Sequence, residues 1–183
     1  MPRALYLAGP EVFLPDAIEV GLRKKALCAE FGFIGLYPLD NEIVEGENRD
    51  ARIYAANLAL IEQADAAIFN LSPFRGIGAD AGTAFELGVF VAQAKPVFAY
   101  SGDPVDFCGR ASAAFGAHHT PEGGLCDAHG FEIENFGNAD NLMLDCALKS
   151  QGRSVLRAET KLPLGDLTLF TACLRQAVIH FGL

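Results

Sequence analysis

A chain of 183 residues, 51% hydrophobic and 20% charged, has room for one domain with a substantial core and fits neither a disordered nor a fibrous protein. Its formal net charge of −9 argues against a nucleic-acid polymer as partner, because that affinity comes largely from clustered Lys and Arg, and Arg23-Lys-Lys25 is a short triplet at most. No apolar run reaches the roughly 18 residues of a membrane span, the apolar opening is too short for an export signal, and five irregularly spaced cysteines read as reduced thiols, so a cytoplasmic location is expected.

Taken in order, Arg3-Ala-Leu-Tyr-Leu-Ala8 predicts a buried strand that ends at Gly9-Pro10. Asp16 is placed to cap a helix running to about Phe31, with Gly32 ending it. Phe33-Ile-Gly-Leu-Tyr37 predicts a second strand, followed by Pro38-Leu-Asp-Asn-Glu42 and a charged loop. A helix from Ala51 to Gln63 leads to a third strand, Ala66-Ala-Ile-Phe-Asn70, and a further helix from Thr83 to Ala94 leads to a fourth, Lys95-Pro-Val-Phe-Ala-Tyr100. Residues 102–139 lose all regularity and read as a long insertion. Asn141-Leu-Met-Leu-Asp-Cys-Ala-Leu148 restores a helix, Ser154 to Arg157 reads as a short extended piece, and Asp166 to His180 closes the chain as an amphipathic helix.

Strands alternating with helices predict an α/β fold: a doubly wound, flavodoxin- or Rossmann-like parallel sheet of four to five strands with helices on both faces. Right-handed crossovers then bring Gly9, Pro38, Ser72 and Ser101 to one rim, where open sheets of this kind bind ligands. The stretch Ser72-Pro-Phe-Arg-Gly-Ile-Gly-Ala-Asp-Ala-Gly-Thr-Ala-Phe-Glu-Leu-Gly88 crosses that rim. Gly76, Gly78 and Gly82 keep side chains out of the loop, so that a ligand can approach the backbone.

Two carboxylates stand in this bare setting. Asp80 either caps the following helix or acts on a ligand. Glu86, among Ala84, Phe85, Leu87 and Phe90, has little polar surface to share and is either paired or employed; its place near the positive helix end is expected to favour the ionised form, a candidate nucleophile. Tyr6 is either a core tyrosine or one that reaches across the rim to Glu86, and Phe13 is a loop anchor or a platform for a flat ligand.

Two other readings are weaker. Gly76-Ile-Gly78-Ala-Asp-Ala-Gly82 is one residue too long for a dinucleotide fingerprint and puts Asp80 where a pyrophosphate would sit. Cys108, His118, His119, Cys126 and His129 match no zinc spacing. Neither a cofactor nor a metal is expected.

Together, Tyr6-Leu-Ala-Gly-Pro-Glu-Val-Phe13, Pro38-Leu-Asp-Asn-Glu42, Asp80-Ala-Gly-Thr-Ala-Phe-Glu-Leu-Gly88 and Asn141-Leu-Met143 resemble the nucleoside 2-deoxyribosyltransferase family. The resemblance implies one such domain over residues 1–183, with the irregular insertion at about 102–139. It implies exchange of the base on a 2′-deoxynucleoside, with a deoxynucleoside and a free nucleobase as small-molecule partners. Glu86 would be the nucleophile, Tyr6 would orient it and Asp80 would act on the base nitrogen. Substrate would lie along Gly9, Phe13, Glu42, Asn57 and Gly82. Asn57 stands where some members carry an aspartate, and Glu42 where some carry glutamine, which leaves base preference open. Asn141 would reach the sugar 5′-hydroxyl of a neighbouring subunit, so a homodimer or larger homo-oligomer is expected. The alternatives are hydrolysis of a deoxynucleoside or its 5′-monophosphate, the latter with Ser72 and Arg75 as phosphate donors, and a non-catalytic nucleoside sensor.

Overall fold

The computed structural model describes residues 2–41 and 46–183. Five parallel strands, β1 (Arg3–Ala8), β2 (Phe33–Leu36), β3 (Ala66–Asn70), β4 (Val97–Ser101) and β7 (Leu156–Arg157), form one sheet in the order β2-β1-β3-β4-β7. Strand order reverses between β1 and β3, and that reversal defines where a doubly wound sheet opens a crevice at its carboxyl edge.

The central strands are buried along their length, so they read as continuous apolar runs rather than alternating ones. Within them the two-residue period still sorts side chains by face. Tyr6, Ala67, Phe69, Val97 and Ala99 pack with Ile61, Leu87, Phe90 and Leu148, which come from α2 (Arg49–Gln63), α3 (Ala81–Ala92) and α5 (Leu142–Ser150). Leu5, Leu7, Ile68, Phe98 and Tyr100 pack on the other face with Cys28 of α1 (Ala17–Glu30) and Phe170, Cys173 and Leu174 of α6 (Thr168–Phe181). Tyr6 therefore faces the same side as α3, the helix that carries Glu86.

Several boundaries differ from expectation. Helix α2 starts at Arg49 rather than Ala51, and α3 at Ala81 rather than Thr83. Strand β4 starts at Val97 because Pro96 has no N–H for the ladder. Asp16 stands at the N-cap of α1, but its carboxylate makes no capping bond and instead lies 4.0 Å from Arg23 Nη2. The segment at 102–139 is not irregular throughout. It holds α4 (Phe107–Phe115), capped by Asp106 Oδ1 accepting from Gly109 N at 2.7 Å, and a small antiparallel pair, β5 (His118–His119) with β6 (Leu125–Cys126). Among the described residues no helix is long and apolar enough to cross a membrane, and no three of His, Cys, Asp and Glu group to hold a metal ion.

A 3-10 turn over Pro10–Phe13 carries the chain away from β1. It is fixed from below by an ion pair that solvent does not reach: Lys24 Nζ donates to Glu11 Oε1 at 2.6 Å and Tyr100 Oη donates to the same oxygen at 2.9 Å, with Glu11 and Lys24 at 0% and 1% exposure. Removing one partner strands the other charge in the core. Lys24→Met should therefore cost about 3–5 kcal/mol of unfolding free energy by denaturant titration, and Lys24→Met with Glu11→Gln should recover most of it; full stability in the single variant would show that the pair does not hold the turn.

Candidate active site

At the carboxyl edge, between β1 and β3, lies a cavity of about 350 Å³. Its apolar lining is Val12 and Phe13 of the 3-10 turn, Pro38 and Leu39 after β2, and Ile53 of α2; its polar lining is Asn41, Arg49, Asn57, Asp80, Thr83 and Glu86. An apolar slot with few convergent polar groups is the usual form of a small-molecule site.

Glu86 comes from the second turn of α3 and points back at the sheet. Tyr6 Oη donates to Glu86 Oε1 at 2.7 Å, and Asn57 Nδ2 approaches the same oxygen at 3.4 Å. Oε2 is left uncommitted by both donors. Tyr6 is fully buried, and burial together with the neighbouring carboxylate keeps its phenol protonated far above the ordinary range. Glu86 itself is pushed up to about 7, chiefly by burial and further by the charge of Asp80, against the hydrogen bonds from Tyr6 and Asn57, which lower it. The helix end does not win here as expected from sequence. Loss of water around the carboxylate outweighs the favourable dipole.

Asp80 is the N-cap of α3, with Oδ2 accepting from Thr83 N at 3.0 Å and from Thr83 Oγ1 at 3.2 Å. Capping and lining the cavity are thus compatible, because the cap engages Oδ2. Gly82 lines the cavity, and a Cβ there would lie 3.1 Å from Asp80 Oδ2. Gly9 lines it too, and a Cβ there would fall 2.1 Å from Glu11 Oε2, so the turn closes only with glycine. Phe13 is half exposed and stacks on Phe74 at 5.2 Å with an interplanar angle of 9°, with the Arg75 guanidinium over both rings.

One expected site residue is not described and another stands elsewhere. Glu42 lies outside the described residues. Asn141 is not among the cavity's lining residues; it caps α5 through Met143 N at 3.0 Å and donates from Nδ2 to Glu134 Oε1 at 2.6 Å. Of the phosphate donors of the nucleotide alternative, Arg75 lies over Phe13 and Phe74, and Ser72 is engaged within the fold. Ser72 is buried, with Oγ donating to Asn70 Oδ1 at 2.6 Å and accepting from Gly102 N at 2.8 Å. Conversely, Arg49, Ile53 and Asn57 all line the cavity. Their four-residue spacing on α2 is a signal that Asn57 alone carried in the sequence reading.

A desolvated carboxylate bonded to a phenol, with a second carboxylate beside it at the switch point of a parallel sheet, is an arrangement that suits group transfer or hydrolysis at carbon in an α/β enzyme. The family model of nucleoside 2-deoxyribosyltransferases matches residues 5–143, and the chain belongs to that family of deoxyribosyltransferase enzymes. The solved structure of a 2-deoxyribosyltransferase from Leishmania mexicana is similar over 98% of this chain and 99% of its own, with 32% identity and a TM-score of 0.69. An uncharacterised protein of Schizosaccharomyces pombe is 31% identical over 164 residues, covering 81% of this chain and 78% of its own. A conserved protein from Enterococcus faecalis V583 shares the fold at 16% identity and a TM-score of 0.58, covering 97% of this chain and 99% of its own.

The raised Glu86 has a consequence for stability. With a folded-state value of about 7 against an ordinary 4.5, the protonated carboxyl's contribution is complete below pH 4.5 and is lost as pH rises through 7. Glu86→Gln does not titrate and keeps an acceptor for Tyr6. It should be more stable than the wild type by about 2 kcal/mol at pH 8, after allowance for partial solvation, with the difference gone near pH 4; urea titrations at the two pH values decide it.

Proposed function

We propose that this chain exchanges the base of 2′-deoxynucleosides by double displacement through Glu86. The observation that carries the reading is the 2.7 Å bond from Tyr6 Oη to Glu86 Oε1, which engages one carboxylate oxygen of a residue that lines the cavity with Asp80. In the first step Glu86 Oε2 bonds to C1′ as the C1′–N bond breaks. The electron pair of that bond goes to the base nitrogen, which takes, through Asp80, the one proton that the Glu86 and Asp80 carboxyls hold between them. In the second step an incoming base attacks C1′ from the face the first base left, returns a proton to Asp80 and releases the carboxylate. Two inversions give net retention, and the kinetics are ping-pong.

The apolar lining of Val12, Phe13, Pro38, Leu39 and Ile53 supports a flat base, rather than water, as the acceptor. The commitment of Ser72 to Asn70 and Gly102 supports a nucleoside over a 5′-monophosphate. Base exchange of this kind places the enzyme in nucleoside salvage.

We also infer that the working unit is at least a dimer with Asn141 supplied to the neighbour's site. Ala81, Phe85, Gly88 and Ala92 lie at helical spacing on the exposed side of α3, with Tyr54 and Met143 exposed on α2 and α5. Such an apolar, charge-free face suits a second copy. Asn141 has two amide N–H groups and donates one to Glu134, which leaves one for a ligand.

Glu86→Ala should lower base exchange by at least about 10³-fold without loss of fold, with the deoxyribosyl adduct absent from the mass spectrum of substrate-treated protein; retained turnover would remove Glu86 from the nucleophile's role. For the wild type, kcat/KM should fall as pH rises through about 7, because the pair of carboxyls then loses the one proton that the departing base takes. Tyr6→Phe removes a bond that lowers the Glu86 value, so that limb should move to higher pH. Assays with and without acceptor base separate transfer from hydrolysis.

A shared site has its own test. Glu86→Ala and Asn141→Ser, the latter keeping a helix cap, should each be inactive alone and regain activity when their subunits are mixed and re-equilibrated. Absence of recovery, with mixed oligomers demonstrated, would confine each site to one chain.

A further inference from the structure

The loop that delivers Asp80 is held at its end by the Asp80 cap on α3, and before that from outside. There it is held by α4 and by the residues just before α5. Arg110 of α4 is buried, and its guanidinium reaches in four directions: Nε donates to Ile77 O at 2.6 Å, Nη1 to Val105 O, and Nη2 both to Ala139 O at 2.8 Å and to Asp140 Oδ2 at 3.2 Å. Asp140 Oδ2 also accepts from Ala79 N at 3.0 Å, one residue before Asp80, while Oδ1 accepts from Asn141 N at 2.8 Å. Asp145 closes the arrangement from behind, taking Ala139 N at 3.1 Å and Asp140 N at 2.9 Å. Gly78 permits the approach, since a Cβ there would lie 3.3 Å from Asp140 Oδ1.

We propose that Arg110 and Asp140 are positioning residues for proton transfer at Asp80, fixing the 77–79 backbone so that the Asp80 carboxyl meets the departing base nitrogen. The inference rests on the reading of Asp80 as the group that protonates the leaving base. The planar fork of Arg110 satisfies carbonyls on three separate segments, which a lysine's single ammonium cannot do. The groups hydrogen-bonded to the Asp140 carboxylate are all donors: Ala79 N, Asn141 N and Arg110 Nη2. Asp140→Asn therefore turns an amide N–H against a donor whichever way it lies. Neither residue is among those lining the cavity, so neither contributes by touching substrate.

A loop that is merely destabilised lowers all rates alike by lowering the folded fraction. A displaced proton donor does not: it penalises a base that needs the proton and spares one that leaves without it. The test is the slope of log kcat for the base-release step against the pKa of the departing nitrogen, across halogenated and N-methylated deoxynucleosides that the wild type turns over. Ratios within one preparation cancel the amount of folded enzyme. Arg110→Lys and Asp140→Asn should each steepen the slope, losing about 30-fold on the most basic leaving base and less than about 3-fold on the least basic, in the same direction as Asp80→Asn. If Asp80→Asn steepens the slope while both positioning variants leave it unchanged, or lose rate equally on all bases, this proposal is overturned and the reading of Asp80 survives. If Asp80→Asn leaves it unchanged as well, that reading falls too.

Discussion

The bond between the Tyr6 hydroxyl and Glu86 Oε1 joins the first strand to the third helix across the place where strand order reverses. It depends on three independent placements. The two-residue period of β1 puts Tyr6 on the α3 side of the sheet. The parallel register of β1 with β3, Tyr6 opposite Ala67, sets how far the ring lies below the rim. The capped start of α3 at Asp80 sets the helix phase that turns Glu86 inward rather than toward solvent. A one-residue slip in either element would move the phenol to the opposite core or swing the carboxylate about 100° around its helix.

The opposite side of the cavity is fixed with comparable rigidity by different means. Phe13 and Val12 ride on a 3-10 turn too short to be stable alone, and the buried pair of Glu11 and Lys24 with Tyr100 ties that turn to α1 and β4. Lys24 Nζ also lies 5.1 Å from the Phe170 ring, which partly replaces its lost hydration. The two walls are therefore anchored on opposite faces of the sheet: the aromatic wall through the α1 and α6 core, the carboxylate wall through the α2 and α3 core. A ligand lying between them bridges both.

What the sequence reveals follows from the range of the forces involved. Strands buried on both faces leave unbroken apolar runs such as Ala66–Asn70, and these are legible locally. Helix α4 is not legible in the sequence because Gly109 and its short, Ala- and Ser-rich remainder carry little periodic signal, while its docking relies on Arg110 contacts some 30 residues away in sequence. The two-residue β7 is a strand only by pairing with Tyr100 and Ser101. At the site, Tyr6, Asp80 and Glu86 stand out by residue type in motifs. The proximity of Asn57 to Glu86 depends on how α2 and α3 lie on the sheet, which no local pattern encodes. The protonation of Glu86 differs from the sequence expectation for a related reason: the dipole of a helix start can be read from position, whereas desolvation is a property of the assembled pocket.

That desolvation bears directly on reactivity. A carboxylate with a value near 7 is a more basic, less hydrated oxygen than one on the surface, and forming it in the pocket already requires work against burial. In the proposed double displacement, bonding to C1′ converts the buried anion into a neutral ester, so the unfavourable charge disappears as the glycosidic bond breaks. Tyr6 works against an excess of this effect: its donated bond stabilises the anion enough for a useful fraction to exist near neutrality. A phenol suits the task because, held neutral by its own burial, it supplies a donor without adding a second charge. Replacing the phenol by a cationic donor in the same place would drive the carboxylate value down and weaken the nucleophile, which is a physical reason for a tyrosine at this position.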